Sequence, residues 1–274
     1  MRIAHREAVL NYLVLGVFSL FAVVPMFGVL LSAVTPTTDP QAGFHLPSSI
    51  DVGNFIEAWN RGQFSTYLRS SLTVTISVVI LTSILSIFAG FAFARLHFPG
   101  KNVLFFLLLA GLMLPAEAFI IPLYYDLRGA GLTDSYWALI LPQTAQSLAF
   151  GVFWMRNQFR TFPGEIMEAG KMDGASDLRV LWRIVVPPSV PAITTMCLLV
   201  AMWTWNEFLI PLIMVSSESL RTAPLGLAFF QGQHITEYSL LAAAGTIVAL
   251  PIVLLYFFLQ RRFISGMLNG ISSR

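Results

Sequence analysis

Few side chains in this sequence could take part in catalysis or bind a metal, and their spacing does not fit a catalytic or metal-binding motif. A zinc hydrolase would need HExxH on a helix, and a serine hydrolase would need a nucleophile in a GxSxG turn; neither pattern occurs. The single cysteine, Cys197, lies in an apolar run and is expected only to pack. The four histidines stand far apart, at His5, His45, His97 and His234. We therefore predict no catalytic residue, no metal site and no enzymatic activity.

The nearest approach to a nucleotide site is GEIMEAGKM, at 164–172. A phosphate-binding loop has four residues between its glycines, and a Ser or Thr after its lysine holds Mg²⁺. Here five residues separate Gly164 from Gly170, and Met172 follows the lysine. The sequence predicts no cofactor in this chain, so any ATP that drives it would be hydrolysed on a separate subunit.

Composition indicates a membrane protein. The chain has 274 residues, of which 56% are apolar and 11% charged, against roughly 25% charged in soluble domains. A spanning helix needs about 20 mostly apolar residues. Six stretches meet this, at about 10–34, 71–94, 103–123, 136–155, 192–215 and 238–260. We predict an all-α integral membrane protein with six transmembrane helices in one domain over 1–274. The net charge of +2 gives no reason to expect a nucleic-acid partner.

Basic residues set the predicted orientation, because cytoplasmic loops carry the excess of Lys and Arg. Six spans put both termini on one side, together with the loops at 96–102 and 156–191, and twelve of the sixteen basic residues fall there. The opposite side, with loops at 35–70 and 216–237, holds Arg61, Arg69, Arg128 and Arg221. Both termini and the loop at 156–191 are therefore predicted to be cytoplasmic.

The loop at 156–191 contains two short helical patterns. The first follows Pro163 and ends before Gly174, where glycine suits a sharp reversal. One face of it carries Phe162, Ile166, Ala169 and Gly170. The second carries an apolar stripe, and three prolines are expected to end it before the fifth span; the stripe is Leu178, Leu181, Trp182 and Val185, and the prolines are Pro187, Pro188 and Pro191. The pattern alone fits an amphipathic cap on the membrane surface about as well as a docking site for a cytoplasmic partner.

The same loop resembles the EAA loop of ABC-importer permeases. Glu168-Ala169-Gly170 stands for EAA, Gly174 for the glycine that follows after three intervening residues, and Ile184, Val186 and Pro187 for the closing I-x-L-P. Outside the loop, the stretches ARLHFPGK (94–101), MLPAEAFIIPLY (113–124), DGAS (173–176), WNEFLIPL (205–212), LAFFQGQ (227–233) and the segment 259–274 resemble carbohydrate-uptake permeases of the maltose type. The resemblance is to their shorter, six-span permease, and it implies the type I importer fold.

The resemblance also implies partners. A second permease would complete a heterodimer, two ATPase subunits would bind ATP and Mg²⁺, and an extracytoplasmic binding protein would deliver a sugar through a bacterial cytoplasmic membrane. The EAA loop would form a coupling helix in a cleft of the ATPase, with contacts expected from Glu165, Glu168, Ala169, Gly170, Asp173, Gly174 and Ala175. In that family the end of the chain often reaches between the ATPases. Here Gly270, Ile271 and Ser272 occupy this place without the usual ending, and a frayed terminus is an equal alternative.

Polar residues within the fifth predicted span are candidates for a substrate path. A carboxylate in a span is costly and should face the bundle interior or water, and tryptophans with amides suit a sugar. The candidates are Trp203, Trp205, Asn206 and Glu207. Alternatively, Asn206 and Glu207 bond to the partner permease or a neighbouring helix. Glu117, in the third span, fits an outer vestibule or the headgroup level.

Two other functions remain open from the residues alone. A proton-coupled secondary transporter would use Glu207, but it leaves the EAA pattern unexplained. A membrane scaffold that transports nothing would leave the carboxylate in the span unexplained. We predict a sugar-importing ABC permease.

Overall fold

A computed structural model describes residues 5–39, 46–231 and 237–271, and within those ranges it describes the side chains between 11 and 260 except that of Ala116. The described residues form helices and no β-strand. The α-helices are α1 His5–Ala33, α2 Gly53–Arg61, α3 Phe64–Arg95, α4 Lys101–Met113, α5 Ile120–Gly129, α6 Tyr136–Arg160, α7 Gly164–Met172, α8 Asp177–Val180, α9 Val186–Asn206, α10 Leu209–Met214, α11 Ala223–Gly226 and α12 Tyr238–Ile271. Short 3₁₀ turns at Ala116–Phe119, Glu218–Leu220 and Leu227–Phe230 and a π-helical turn at Leu181–Val185 join them.

The helices fall into two compact units, residues 1–65 with 226–250 and residues 66–225 with 251–274. In the first, the Asn54 side chain donates to the carbonyls of Ala33 and Thr35, at 3.0 and 2.8 Å, and so caps the end of α1. The second unit contains α4 to α10 and most of α3 and α11. It holds every candidate from the loop at 156–191, here called the inner loop, and from the fifth predicted span. The single domain predicted over 1–274 stays a prediction.

Five of the described helices are long and apolar enough to cross a membrane, and a bent pair would make a sixth. The pair corresponds to the predicted span 103–123, which the structure divides into α4 and α5 with a bend of 91°. The break lies at Leu114 and Pro115, both in extended conformation. Proline disfavours the helical conformation of the residue before it and donates no hydrogen bond, which favours a break at this position. The helical fold class is confirmed.

The prediction that Pro187, Pro188 and Pro191 end a helix is wrong. Residues Asp177–Asn206 form one continuous apolar span of 30 residues. The wide π-helical turn comes just before α9, so the first two prolines fall in the opening turn of α9, where a missing N–H costs little. The Ser189 hydroxyl donates to the Val185 carbonyl at 2.8 Å and supplies a further donor there.

The loop after α10 is fixed by Asp134, which adopts a positive φ of 54°. Its carboxylate accepts hydrogen bonds from the backbone N–H groups of Ser216 and Ser217, at 3.0 and 2.8 Å. The Ser217 hydroxyl donates to it as well. These bonds, led by the Ser217 side chain, hold the pKa of the Asp134 carboxyl below its ordinary value. The α5–α6 connection and the loop after α10 are thereby joined.

Helices α3 and α6 pack closely through small residues, as membrane helices commonly do. Ser86 and Gly90 of α3 face Gly151 and Met155 of α6. A Cβ atom built on Gly90 would lie 2.7 Å from the Met155 Cβ and 3.0 Å from the Arg156 backbone nitrogen. Because backbone atoms form part of this contact, a side-chain rotation cannot make room.

Gly90→Ala is therefore expected to destabilise the chain by about 1–3 kcal/mol, the usual cost of overpacking. Gly245→Ala is the matched control, since Gly245 also lies within a long helix and a Cβ there meets nothing within 4 Å. Thermal unfolding in detergent should show a lower Tm for Gly90→Ala and no loss for Gly245→Ala. Equal Tm values for the two variants would contradict the close packing.

Candidate functional site

The inner loop begins with α7, whose ends carry the signals of a short stable helix. Pro163 precedes its first residue in extended conformation. Glu165 lies in the first turn and Lys171 in the last, each near the end of the helix dipole that favours its charge. Lys171 also pairs with Asp177 of α8 at 2.6 Å, although both side chains are half exposed and the pair contributes little to stability.

The C-terminal end of α7 is a Schellman motif with Gly174 as its left-handed residue. The Gly174 N–H donates to the Lys171 carbonyl at 2.9 Å, and the Ala175 N–H donates to the Gly170 carbonyl at 3.0 Å. Gly174 has φ of +81°, a conformation that L side chains adopt at a cost. The motif glycine therefore sets the turn that sends the chain from α7 into α8.

The faces of α7 differ from those predicted. Met167 is buried, at 6% exposure, and Gly170 faces Ile184 of the π-helical turn. Ile166, which the sequence placed on the same face as Gly170, is half exposed, and Ala169 is exposed. The packing side is thus centred between Met167 and Gly170, about one residue away from the predicted stripe.

The exposed side of α7 carries two acidic and two apolar residues. At about 100° per residue, these four positions fall within an arc of about 100° opposite Met167 and Gly170. Each of the four is exposed, and Met172 is 88% exposed. The surface, here called the α7 face, consists of Glu165, Glu168, Ala169 and Met172. The α7 face lies next to the turn at Gly174, and its four residues remain exposed.

Gly170 lets α7 approach the π-helical turn. A Cβ atom on Gly170 would lie 2.5 Å from the Ile184 Cδ1 and 3.9 Å from a Val180 methyl carbon. Of the seven predicted coupling residues, Gly170 therefore lies on the packing side. Asp173 and Gly174 are exposed at the turn, and Ala175 is partly buried.

Gly170→Ala is expected to destabilise the loop by about 1 kcal/mol, because Ile184 must move. Ile184→Val removes the obstructing methyl group, so the double variant should recover part of that loss. A double-mutant cycle on thermal stability measures this favourable interaction. Strictly additive effects would show that the two residues are not in contact.

The second helix of the loop is α8 with the π-helical turn. Val180, Leu181 and Val185 are fully buried, at 0 to 1% exposure. Leu178 and Trp182, which the sequence placed on the same stripe, are exposed at 56% and 43%. The widened turn rotates the stripe, so the helix packs through residues that a regular period does not select. From there α9 continues directly into the span.

Arg95, at the end of α3, holds the start of the inner loop. Its Nε and Nη2 atoms donate to the Phe159 carbonyl at 3.0 and 2.7 Å, and Nη2 also donates to the Phe162 carbonyl. A longer contact of 3.5 Å reaches the Arg160 carbonyl. In the sequence, Arg95 is only one of the twelve basic residues predicted on the same side as the termini, and no local pattern identifies its partners 64 to 67 residues away.

In the membrane-spanning region, Glu207 marks the end of α9. Its backbone is extended, and its Oε1 atom accepts hydrogen bonds from the N–H groups of Leu209 and Ile210 at 2.9 and 3.0 Å. The carboxylate thus caps α10 within its own chain. The Asn206 amide donates to the Met202 carbonyl of its own helix at 2.8 Å.

Two open cavities meet at Glu207. One, of about 720 Å³, is lined by Glu117, Gln146 and Glu207 together with apolar residues of α4, α5 and α6. The other, of about 550 Å³, is lined by Gln146, Trp203, Asn206 and Glu207 among others. Three of the four candidate path residues therefore share one cavity. Gln146, which sequence reasoning missed, lines both.

Trp205, the fourth candidate path residue, does not line these two cavities. It is 3% exposed, and neither cavity includes it in its lining. One residue along a helix turns the side chain by about 100°, which separates Trp205 from its neighbours. Among the candidate tail residues, Gly270 and Ile271 end α12. Ser272 lies outside the described residues.

Long apolar helices, a short helix with an exposed face between α6 and α9, and mainly apolar cavities at a helix break are consistent with a multi-span membrane protein of the transport class. The family described as "binding-protein-dependent transport system inner membrane component" matches residues 82–269. The chain belongs to this family, and it is a permease of the ABC-transporter type. The resemblance drawn from the sequence is confirmed.

Individual relatives agree with this assignment. The chain is 36% identical to the probable ABC transporter permease protein YurM of Bacillus subtilis, over 90% of this chain and 82% of that protein. It is 32% identical to the arabinooligosaccharides transport system permease protein AraQ of Halalkalibacterium halodurans, over 91% and 90% of the two chains. A crystal structure of a bacterial ABC transporter involved in the import of the acidic polysaccharide alginate has a chain with the same fold. The TM-score is 0.82 at 22% identity, over 96% of this chain and 99% of that one.

Proposed function

We propose that this chain is one permease subunit of an importer that moves a sugar or sugar derivative across a bacterial cytoplasmic membrane, driven by ATP hydrolysis on separate subunits. Its partners would be a second permease, two ATPase subunits and an extracytoplasmic binding protein. Family membership supports the transport role. The excess of basic residues on the side of the inner loop supports cytoplasmic termini and a cytoplasmic α7 face.

The observation that carries the proposal is the construction of α7. The helix is anchored on its inner side by Met167 and by the contact between Gly170 and Ile184, and it presents the α7 face outward. Exposed alanine and methionine flanked by carboxylates form a small convex surface that suits insertion into a cleft. Because Gly170 of α7 contacts Ile184 of the π-helical turn, and because this turn is continuous with α9, movement of α7 would be carried into a span.

In this mechanism ATP and Mg²⁺ bind only to the ATPase subunits. Closure of those subunits would move α7, and the rigid connection to α9 would switch the spans between inward- and outward-facing arrangements. The chain's own residues do no covalent chemistry. Their contribution is to transmit movement and to line part of a path.

The cavities at Glu207 support a sugar as the solute. The 550 Å³ cavity combines the exposed indole of Trp203 with the amides of Gln146 and Asn206. An aromatic face packs on the C–H surface of a sugar, and amides bind its hydroxyls. The relative AraQ is named for the transport of arabinooligosaccharides, which belong to the same chemical class. The capping contact of Glu207 also supports a structural role for that carboxylate, in preference to proton coupling.

The proposal is tested by purifying the tagged chain from its native membranes in mild detergent. We expect an ATPase and a second permease to co-purify, with ATP hydrolysis in the recovered complex. Identification of the accompanying binding protein would then give the sugar. A chain that purifies alone and moves solute in vesicles, with uptake abolished by an uncoupler at constant ATP, would instead establish a proton-coupled transporter.

A further inference from the structure

The start of the inner loop is fixed by one side chain from a distant helix. Arg95 ends α3, whereas the carbonyls that it binds belong to the last turn of α6 and to Phe162, the residue before Pro163. The last carbonyls of a helix have no partner within the helix and carry the negative end of its dipole. A guanidinium group suits them because its several N–H groups spread in a planar fork.

Aromatic side chains pack around the hydrogen bonds that Arg95 makes. Arg95 is half buried. Phe159, whose carbonyl receives two of its hydrogen bonds, is fully buried and packs edge to face against Phe91 of α3, with ring centroids 6.3 Å apart. Phe162 packs on the same core. The side chains therefore hold α3 against the end of α6, and Arg95 holds the backbone that leads into α7.

We propose that Arg95 is a positioning residue for energy coupling, which fixes the direction in which α7 leaves the membrane-spanning helices and makes α3 move with α7. The proposal rests on the proposed function, in which α7 follows the ATPase. Through the Gly170 contact and α8, α7 already reaches α9. Arg95 provides the second connection, to α3, on the other side of the loop. Two attachments allow the loop to carry rotation as well as translation.

The neighbouring basic residues have different partners. Arg156 lies over the Phe105 ring, 3.9 Å from its centroid, and donates to the Phe93 carbonyl at 3.4 Å. Lys101 donates to the Leu96 carbonyl at 2.8 Å. Both contacts fasten α4 or the turn before it to the rest of the unit. Arg95 alone among these three residues bonds to the loop that contains α7.

The test measures whether α3 and α7 move as one body. Spin labels are placed at two exposed residues, Leu85 of α3 and Ile166 of α7, which lies outside the α7 face. The background is Cys197→Ala, which removes the chain's only cysteine, together with cysteine-free partner subunits. Distances are measured by pulsed electron resonance in the full complex, both nucleotide-free and trapped with ATP and vanadate, so no transported substrate is needed.

With Arg95 present, we expect one narrow distance distribution that is the same in both states. In Arg95→Gln the distribution should broaden and shift on trapping, because α7 follows the ATPase without α3. ATP hydrolysis should persist, whereas its coupling to movement of the spans should fall roughly tenfold, within the usual range of coupling energies. Arg95→Lys keeps the positive charge but lacks the planar set of guanidinium N–H groups. On trapping, it should therefore shift the distance between the labels by an intermediate amount.

Arg183→Gln is the control, since it removes the same charge from an exposed position in the same loop. An unchanged distance in Arg95→Gln, or an equal shift in Arg183→Gln, would overturn the assignment of Arg95. If Arg95→Gln fails to assemble, the same comparison is made with Arg95→Lys. Failure of the importer proposal is a separate result, since no ATPase would then co-purify with the unmodified chain.

Discussion

The double variant Ala169→Lys/Met172→Lys is expected to lose binding to the ATPase subunit while the chain folds normally. Both residues are exposed on the α7 face. Lysine is a good helix former, and at the C-terminal end of α7 its charge suits the helix dipole. Within a close-packed cleft, however, each new side chain adds bulk and a buried charge. A disrupted interface hot spot costs about 2 kcal/mol, or about 30-fold in affinity, so the two together should reduce binding by about 10³.

Affinity is measured between the detergent-solubilised chain and its purified ATPase partner, alongside thermal unfolding of the chain alone. Leu178→Lys is the control, because Leu178 is 56% exposed in the same inner loop but lies on α8. We expect it to bind the ATPase as the unmodified chain does. Equal affinities for the double variant and for Leu178→Lys would exclude the α7 face as the docking surface.

Gly174→Val is expected to reduce ATP-driven uptake more than tenfold. A β-branched residue at φ of +81° is strained by about 1–3 kcal/mol. Relief of that strain by opening the turn would sacrifice the two hydrogen bonds of the Schellman motif, each worth about 1 kcal/mol. Either response changes the angle between α7 and α8. Gly174→Asn should retain most of the uptake, since asparagine tolerates the left-handed conformation.

The chain provides a closely matched control at the end of α5. Gly131 has φ of +69°, and a Cβ there, as at Gly174, meets nothing within 4 Å. Its N–H donates to the Arg128 carbonyl at 3.0 Å, and the Leu132 N–H donates to the Leu127 carbonyl at 2.9 Å, which is the same motif. Gly131→Val should therefore cost similar stability without a comparable loss of ATP-driven uptake. If both valine variants lose uptake equally, the effect belongs to folding and not to coupling.

Glu168 and Gly170 belong to the same sequence motif but have different surroundings. The side chain of Glu168 is exposed on the α7 face, while Gly170, only two residues later, lies against Ile184. Residues of one sequence motif therefore serve two purposes, outward contact and inward packing. The two predictions above separate these purposes, because Ala169 and Met172 test the contact and Gly174 tests the shape.

The sequence by itself determined the membrane class, the approximate spans and the inner loop. These features depend on properties that add up along the chain: runs of about 20 apolar residues, an excess of basic residues on one side, and a spaced motif ending in glycine. Gly174 was identified correctly as a turn because left-handed backbone is a local requirement. A position that needs left-handed backbone can be predicted from the local sequence without knowledge of distant neighbours.

Only the tertiary structure decided which side of α7 faces outward, where the long helices break and what Arg95 binds. Helical periodicity ranks faces by hydrophobicity, but Met167 and Gly170 face inward because Ile184, 14 residues or more away, fills the space beside Gly170. Three prolines predicted the end of a helix, but a π-helical turn precedes them, and two of them lie in the opening turn of α9, where they are tolerated. The Arg95 carbonyl partners lie more than 60 residues along the chain. For the α7 face and for Arg95, the deciding free energy comes from contacts between segments far apart in sequence, which no local pattern contains.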